Sequence, residues 1–313
     1  MAADHDSYTV ALGLASARMA ELLVKSEEDE KRRERKQKVL REKIKLLRDA
    51  FPEYKERLRG RASPGSLLRE LELDPEDAQT LIVDLSFADA FAPYELKSED
   101  GDVRGALEQV AEDVGIEKRF VTEVSKTRRD AARAHRLRLT GRHLAFGLLG
   151  AGLFAAGGWM FAPALAATLG AAAGLSGVAA TNFGLALLGG GSLAAGGAGM
   201  AGGMAVVAGT SAAVGGAGFA GGSLLHSLGE AGAREELVKL QTTYKAVLLH
   251  SQRDRAKARK VVEQLAKQQA ALEKDLSRER TLNDDNAQRV KNLEKTIEHI
   301  ERSLEWMKKQ QAA

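Results

Sequence analysis

The chain has 313 residues, 28% of them Asp, Glu, Lys or Arg, a formal net charge of +3 and no cysteine. That composition excludes a disulfide scaffold and thiolate-bound zinc or iron–sulfur sites, and the near balance of charge makes position more informative than total. The N-terminus, MAADHDSYTVALGLASARMAELL, carries acids and no basic stretch ahead of its short apolar run, so no cleavable secretion signal is expected.

Charge divides the chain into three regions: 1–142, 143–229 and 230–313. The outer two are dense in charge, whereas no Asp, Glu, Lys or Arg occurs from Leu144 to Gly229. The predicted fold class is all-α throughout.

In the first region, residues 7–50 predict one long helix, with strong helix formers and only Gly13 against it. Glu28 with Arg32 and Glu34 with Lys38 stand at i, i+4 spacing, as on a solvated helix face. The KRRERK run at 31–36 has acids just before it and no aromatic stacking platform, so no nucleic-acid partner is expected. Pro52 and GRASPG at 60–65 break the pattern. Residues 66–125 then predict a small helical bundle, with Leu107, Val110, Val114 and Ile116 near helical spacing. DGDVRGALEQVAE from Asp100 partly imitates a calcium loop, but Arg104 and Ala111 stand where oxygen ligands belong, which favours a turn opening a helix. A basic flank, 126–142, closes the region with Arg128, Arg129, Arg133, Arg136, Arg138 and Arg142. Its position beside an apolar block fits the positive-inside rule and an anionic membrane surface.

The uncharged block spans about 86 residues, against the ~20 that one membrane-spanning helix needs. Its two G-x-G-x-x-G runs, in GGAGMAGG (196–203) and GGAGFAGG (215–222), imitate a dinucleotide-binding loop. That chemistry also requires a preceding strand and an acidic residue about twenty positions on. The first run is preceded by a glycine-broken segment, and neither is followed by a carboxylate at that spacing. No cofactor is expected. Small residues four apart instead mark close helix packing in lipid: Gly147 with Ala151, Gly170 with Gly174, Gly177 with Thr181, Ser192 with Gly196, Gly199 with Gly203, and Gly218 with Gly222. Segments 192–204 and 211–223, the second containing Gly215, form an internal repeat with a period of 19. Such a length of helix extends roughly 28 Å, about one hydrocarbon thickness. Three or four helices are predicted, near 144–161, 164–181, 183–207 and 210–228. Four, as two hairpins, return both charged regions to one side. Alanine and glycine gain little from lipid, so insertion of these segments is expected to be marginal, as suits a protein that inserts on demand.

In the third region Val290, Leu293, Ile297, Ile300, Leu304 and Met307 alternate by three and four, a heptad seam. Val262, Leu265, Leu272 and Leu276 continue it upstream. Asn283–Asn286 is either a turn closing a helical hairpin or part of one helix of about 70 residues, roughly 105 Å long.

A charged helical region, Gly/Ala-rich apolar hairpins and a long coiled coil, in that order, resemble α-helical pore-forming toxins and type III secretion translocators. The glycine runs resemble glycine-zipper membrane segments. The resemblance implies that a mid-chain hydrophobic segment inserts while long helices assemble at the surface; it carries no residue roles. The expectation is a membrane-localised, oligomerising protein that permeabilises or remodels a bilayer, its charged regions cytoplasmic. The alternative is a constitutive multi-span scaffold whose coiled coil recruits a cytosolic partner, and a third reading buries the block inside a soluble helical assembly. His5, His135, His143, His226, His250 and His299 are scattered in sequence, and no catalytic or metal-binding constellation is read. His143 and His226 bracket the uncharged block.

Overall fold

The computed structural model describes residues 7–51, 54–59, 62–91, 94, 96–135, 229–282 and 288–312. The expected membrane helices lie outside the described residues, and with them the predicted packing glycines Gly147, Gly170, Gly174, Gly196, Gly199, Gly203, Gly215, Gly218 and Gly222. So do the flank residues Arg136, Arg138 and Arg142, and the 283–286 turn. Among the described residues every regular element is helical, as expected for an all-α chain. The chain divides into two compact units, Met1–Ser125 and Lys126–Ala313.

The helix expected over 7–50 is two helices, α1 (Ser7–Lys25) and α2 (Glu30–Ala50). Sequence propensity favours continuation, but Asp29 stops it by capping α2: its side chain accepts from the Arg32 N–H at 2.7 Å. The acids Glu27, Glu28, Asp29 and Glu30 then sit at the positive end of the α2 dipole, while Lys25 occupies the last turn of α1. The two helices run antiparallel, since Glu27 meets Lys36, Ser16 meets Lys43, and Gly13 faces Leu47 and Phe51.

Helix α1 is apolar almost all round and is buried accordingly: Val10, Ala11, Leu12, Leu14, Ala15, Ala17, Met19, Ala20 and Leu23 are each at most 3% exposed. It packs on α2, on α4 (Pro64–Arg69), on α5 (Pro75–Ser86) and on α6 (Asp100–Asp113), so it forms the axis of the unit. A short α3 (Lys55–Arg59) follows α2. Ser63 and Asp74 cap α4 and α5, each with proline in the first turn. The DGD run forms the first turn of α6, and Gly115 ends that helix at φ +74°, with Ile116 N–H bonded to Ala111 O at 2.8 Å. Asp113 draws Arg18 of α1 and Arg69 of α4 to one carboxylate.

At Gly13 a β-carbon would lie 2.7 Å from Leu47 Cδ2 and 3.2 Å from Phe51 Cε2. Overpacking costs about 1–3 kcal/mol, and the helix-propensity gain of alanine over glycine returns ~1 kcal/mol. Gly13→Ala is therefore expected to lower stability by about 1 kcal/mol. Urea unfolding followed by circular dichroism checks this, and a variant more stable than the parent would refute the close contact.

Helix α7 (Lys118–Ala134) contains the boundary between the units. In the second unit, α8 (Gly229–Thr243) continues as a π-helical turn, Tyr244–Ser251. Two long helices follow, α9 (Arg255–Leu282) and α10 (Gln288–Ala312). The π-helical turn closes with Gln252 N–H on Val247 O at 2.8 Å and Asp254 N–H on Leu248 O at 2.9 Å, with Arg253 at φ +54°. Asp254 then caps α9, accepting from Lys257 N–H at 2.8 Å. Helices α9 and α10 are antiparallel, as Arg280 pairs with Glu294 at 2.6 Å and Gln269 Nε2 reaches Glu301 Oε1 at 3.3 Å. The two helices therefore pack side by side, and the expected 283–286 turn between them lies outside the described residues. Ala233, Leu237, Tyr244, Leu248, Leu265 and Leu272 fill the core against Leu293, Ile297, Ile300, Leu304 and Met307.

Candidate functional site

All six heptad residues, Val290, Leu293, Ile297, Ile300, Leu304 and Met307, are buried within the unit's own core. Of the described basic flank, Arg129 and Arg133 are exposed and Arg128 is half-buried. Arg133 approaches Asp130 at 3.3 Å.

Helix α10 also buries a second, polar stripe that the heptad reading does not predict. Thr296, His299 and Ser303, spaced by three and four, are at most 3% exposed. Against them lies His135, the residue that follows α7, itself 1% exposed. Its Nδ1 is 3.4 Å from His299 Nδ1, and its Nε2 is 3.1 Å from Ser303 Oγ. Gln241, on α8 and fully buried, lies beside His135.

The hydrogen bonds determine where the protons are. Ser303 donates to the His299 carbonyl at 3.0 Å, one helical turn back. Its oxygen therefore accepts from His135, which places a proton on His135 Nε2. His135 Nδ1 is then a bare acceptor, and His299 Nδ1 donates to it. In this arrangement both rings are neutral. A further proton on His135 would set two N–H donors against each other.

Burial holds the His135 pKa down at about 4, reinforced by His299, Arg302 and Arg234, and opposed by Gln241. Ser303 and His135 are at the separation of a nucleophile and its base. The serine proton is nevertheless committed to a backbone carbonyl and the hydroxyl is fully buried, so the arrangement is a packed polar layer. Its position gives it meaning. The uncharged block begins shortly after His135 and ends at Gly229, where α8 begins, and both His135 and α8 pack on α10.

The first unit contains a different buried polar group. Lys36 is 2% exposed, donates to Glu27 Oε2 at 2.7 Å and Ser98 Oγ at 2.9 Å, and lies over the Phe91 ring. Lys43 donates to Ser16 Oγ at 2.9 Å and Ala90 O at 2.8 Å. Burial pushes its ammonium down to about 8, partly offset by Asp89. An amine of that pKa is chemically reactive when accessible. This one is buried, with donors occupied by α1 and the 87–91 segment, and it ties those elements together.

Sequence reading missed the His135–His299 pairing because its members are 164 positions apart. The readable trace was the second polar stripe beside the heptad seam. Among the described residues, no group of three or more His, Cys, Asp or Glu is placed to hold a metal ion, and no helix is long and apolar enough to cross a membrane. No family model, curated protein or solved structure matches the chain.

Proposed function

We propose that the protein inserts its uncharged block into a bilayer, assembles through glycine-lined helix faces, and permeabilises or remodels that membrane. The observation that carries the reading is the charge-free interval from Leu144 to Gly229, with its 19-residue repeat of glycine-rich segments. Helices without a polar side must be covered by protein or lipid. In lipid, small residues four apart, as Gly170 with Gly174 and Ser192 with Gly196, let backbones approach, and packing rather than hydrophobicity drives association.

The folded parts support a particular topology. The residues that flank the block, His135 and Gly229, belong to the second unit, and both His135 and α8 pack on α10. A block tethered on both sides to one body re-emerges on the side where it entered, so its crossings are even in number. The heptad seam is occupied inside this unit, which leaves the glycine faces as the assembly surface.

Replacing Gly199, Gly203, Gly218 and Gly222 by leucine raises apolarity while filling the packing seam. The expected result is retained association with liposomes and loss of dye leakage by tenfold or more. Unchanged leakage would refute the proposal. Alkaline carbonate extraction separates the alternatives: a chain already resistant in expressing cells favours the constitutive scaffold over insertion on demand.

A further inference from the structure

Among the basic side chains exposed along α9 and the turn before it are Arg253, Arg255, Arg259, Lys260, Lys267 and Lys274. None of these has an ion-pair or hydrogen-bond partner among the described residues. Lys260, Lys267 and Lys274 recur every seventh residue, which aligns them along the helix. From Arg255 to Lys274 the helix rises roughly 28 Å at 1.5 Å per residue. Exposed Ala256, Ala266, Ala270 and Ala271 keep the intervening surface low. The carboxylates near the row are few. Asp254 is committed to capping α9, Glu273 accepts from Gln269, Glu263 stands within the row, and Asp275 follows its last lysine.

This arrangement opposes stability. Cations in the first turns of α9 face the positive end of its dipole. Arg255 and Arg259 repel at i, i+4 spacing. Arg253 holds a positive φ of 54°, a conformation that glycine adopts more readily. A face that weakens its own helix in three ways fits a partner that supplies negative charge.

We infer that this face of α9 docks the second unit onto an anionic lipid surface, its lysines and arginines meeting headgroup phosphates and carboxylates. The inference rests on the membrane reading above, since the same unit holds the residues on both sides of the uncharged block. The face carries no aromatic side chain on which bases could stack, which disfavours a single-stranded nucleic acid. The lysines in line, with Arg255 and Arg259 about a third of a turn to one side and low alanines between them, suit a broad, mobile plane of charge, where each cation near the surface contributes separately.

The test compares the full-length chain with an Arg255→Gln, Arg259→Gln, Lys260→Gln, Lys267→Gln variant in vesicle sedimentation. Glutamine retains helix propensity, and circular dichroism verifies that the variant is folded. Vesicles are pure phosphatidylcholine or phosphatidylcholine with about one-third phosphatidylserine, a composition chosen for its negative surface potential. The parent is expected to prefer anionic vesicles, and the preference is expected to fall with salt. The variant should lose that preference by roughly fivefold per cation removed, while binding to neutral vesicles through the block is unchanged. An anionic preference retained by the variant, or abolished instead by Arg129→Gln with Arg133→Gln, overturns the inference. So does competition by millimolar inorganic phosphate, which would identify a site for the free ion, or tighter salt-matched binding to duplex DNA. Failure of the membrane reading looks different: neither chain would then bind neutral vesicles or release dye.

Discussion

Replacing Glu27 by glutamine is expected to destabilise the first unit by about 3 kcal/mol, the lower end for removing one partner of a buried ion pair. Lys36 is 2% exposed, and among the described residues Glu27 is the carboxylate it pairs with, at 2.7 Å. With a neutral amide in place of that charge, the ammonium keeps the Ser98 hydroxyl and the Coulomb attraction of Asp89 but loses its directly paired carboxylate, or gives up its proton. The converse substitution, Lys36→Met, is expected to cost about 1 kcal/mol or less, because an apolar chain of similar length suits a buried site. Glu27 would then keep Arg32, 3.2 Å away, and the Asp29 N–H. Amide exchange of α1 and α2, with urea midpoints from circular dichroism, measures both variants. The asymmetry is the test: equal losses would mean that the pair acts only as a surface contact.

Acidification from pH 7 to 4 is expected to remove about 3 kcal/mol from the second unit through His135 alone. An ordinary histidine titrates near 6.5, whereas folding lowers this one to about 4. In that window the unfolded chain binds the additional proton and the native chain does not, so stability falls as pH falls. It is fully present above 6.5 and lost progressively down to about 4, at roughly 1.36 kcal/mol for each unit of difference. Burial is the first reason that His135 resists charging; His299 and Arg302 on α10 and Arg234 on α8 add to it, and Gln241 on α8 opposes it. Glu298 is the nearby acid, and it interacts with His299 and pairs with Lys295 and Arg302. Trp306, half-buried on α10, reports the transition in a Trp159→Phe chain, which has no other tryptophan. His135→Gln should flatten the pH dependence between 6.5 and about 4 while lowering stability at pH 7. A parent whose unfolding midpoint is constant across that range would show that the histidine network is not as buried as its geometry requires. Because the same unit tethers the uncharged block on both sides, dye leakage is expected to rise over the same interval.

The amino-acid sequence by itself determined the helical class, the three-way division by charge, and the apolar seam of α10. Each depends on local composition or on a period of three and four, and each is legible wherever side chains repeat. It also held the break at Asp29 in plain view, as a capping residue among four consecutive acids, although the surrounding helix propensity concealed it. Only the tertiary structure decided that α1 is an axis buried over most of its surface, with a stripe through Arg18, Glu21 and Lys25 reaching solvent. A run of leucine, alanine and valine reads alike whether one face or every face is covered. It alone decided that α9 and α10 are antiparallel, because Arg280–Glu294 and Gln269–Glu301 distinguish two helices packed side by side from one long helix when the intervening asparagines do not. The meeting of His135 with His299 was likewise beyond the sequence, since no local pattern encodes a contact made across 164 positions. Periodicity records which face of a helix is buried, and three-dimensional packing decides against what.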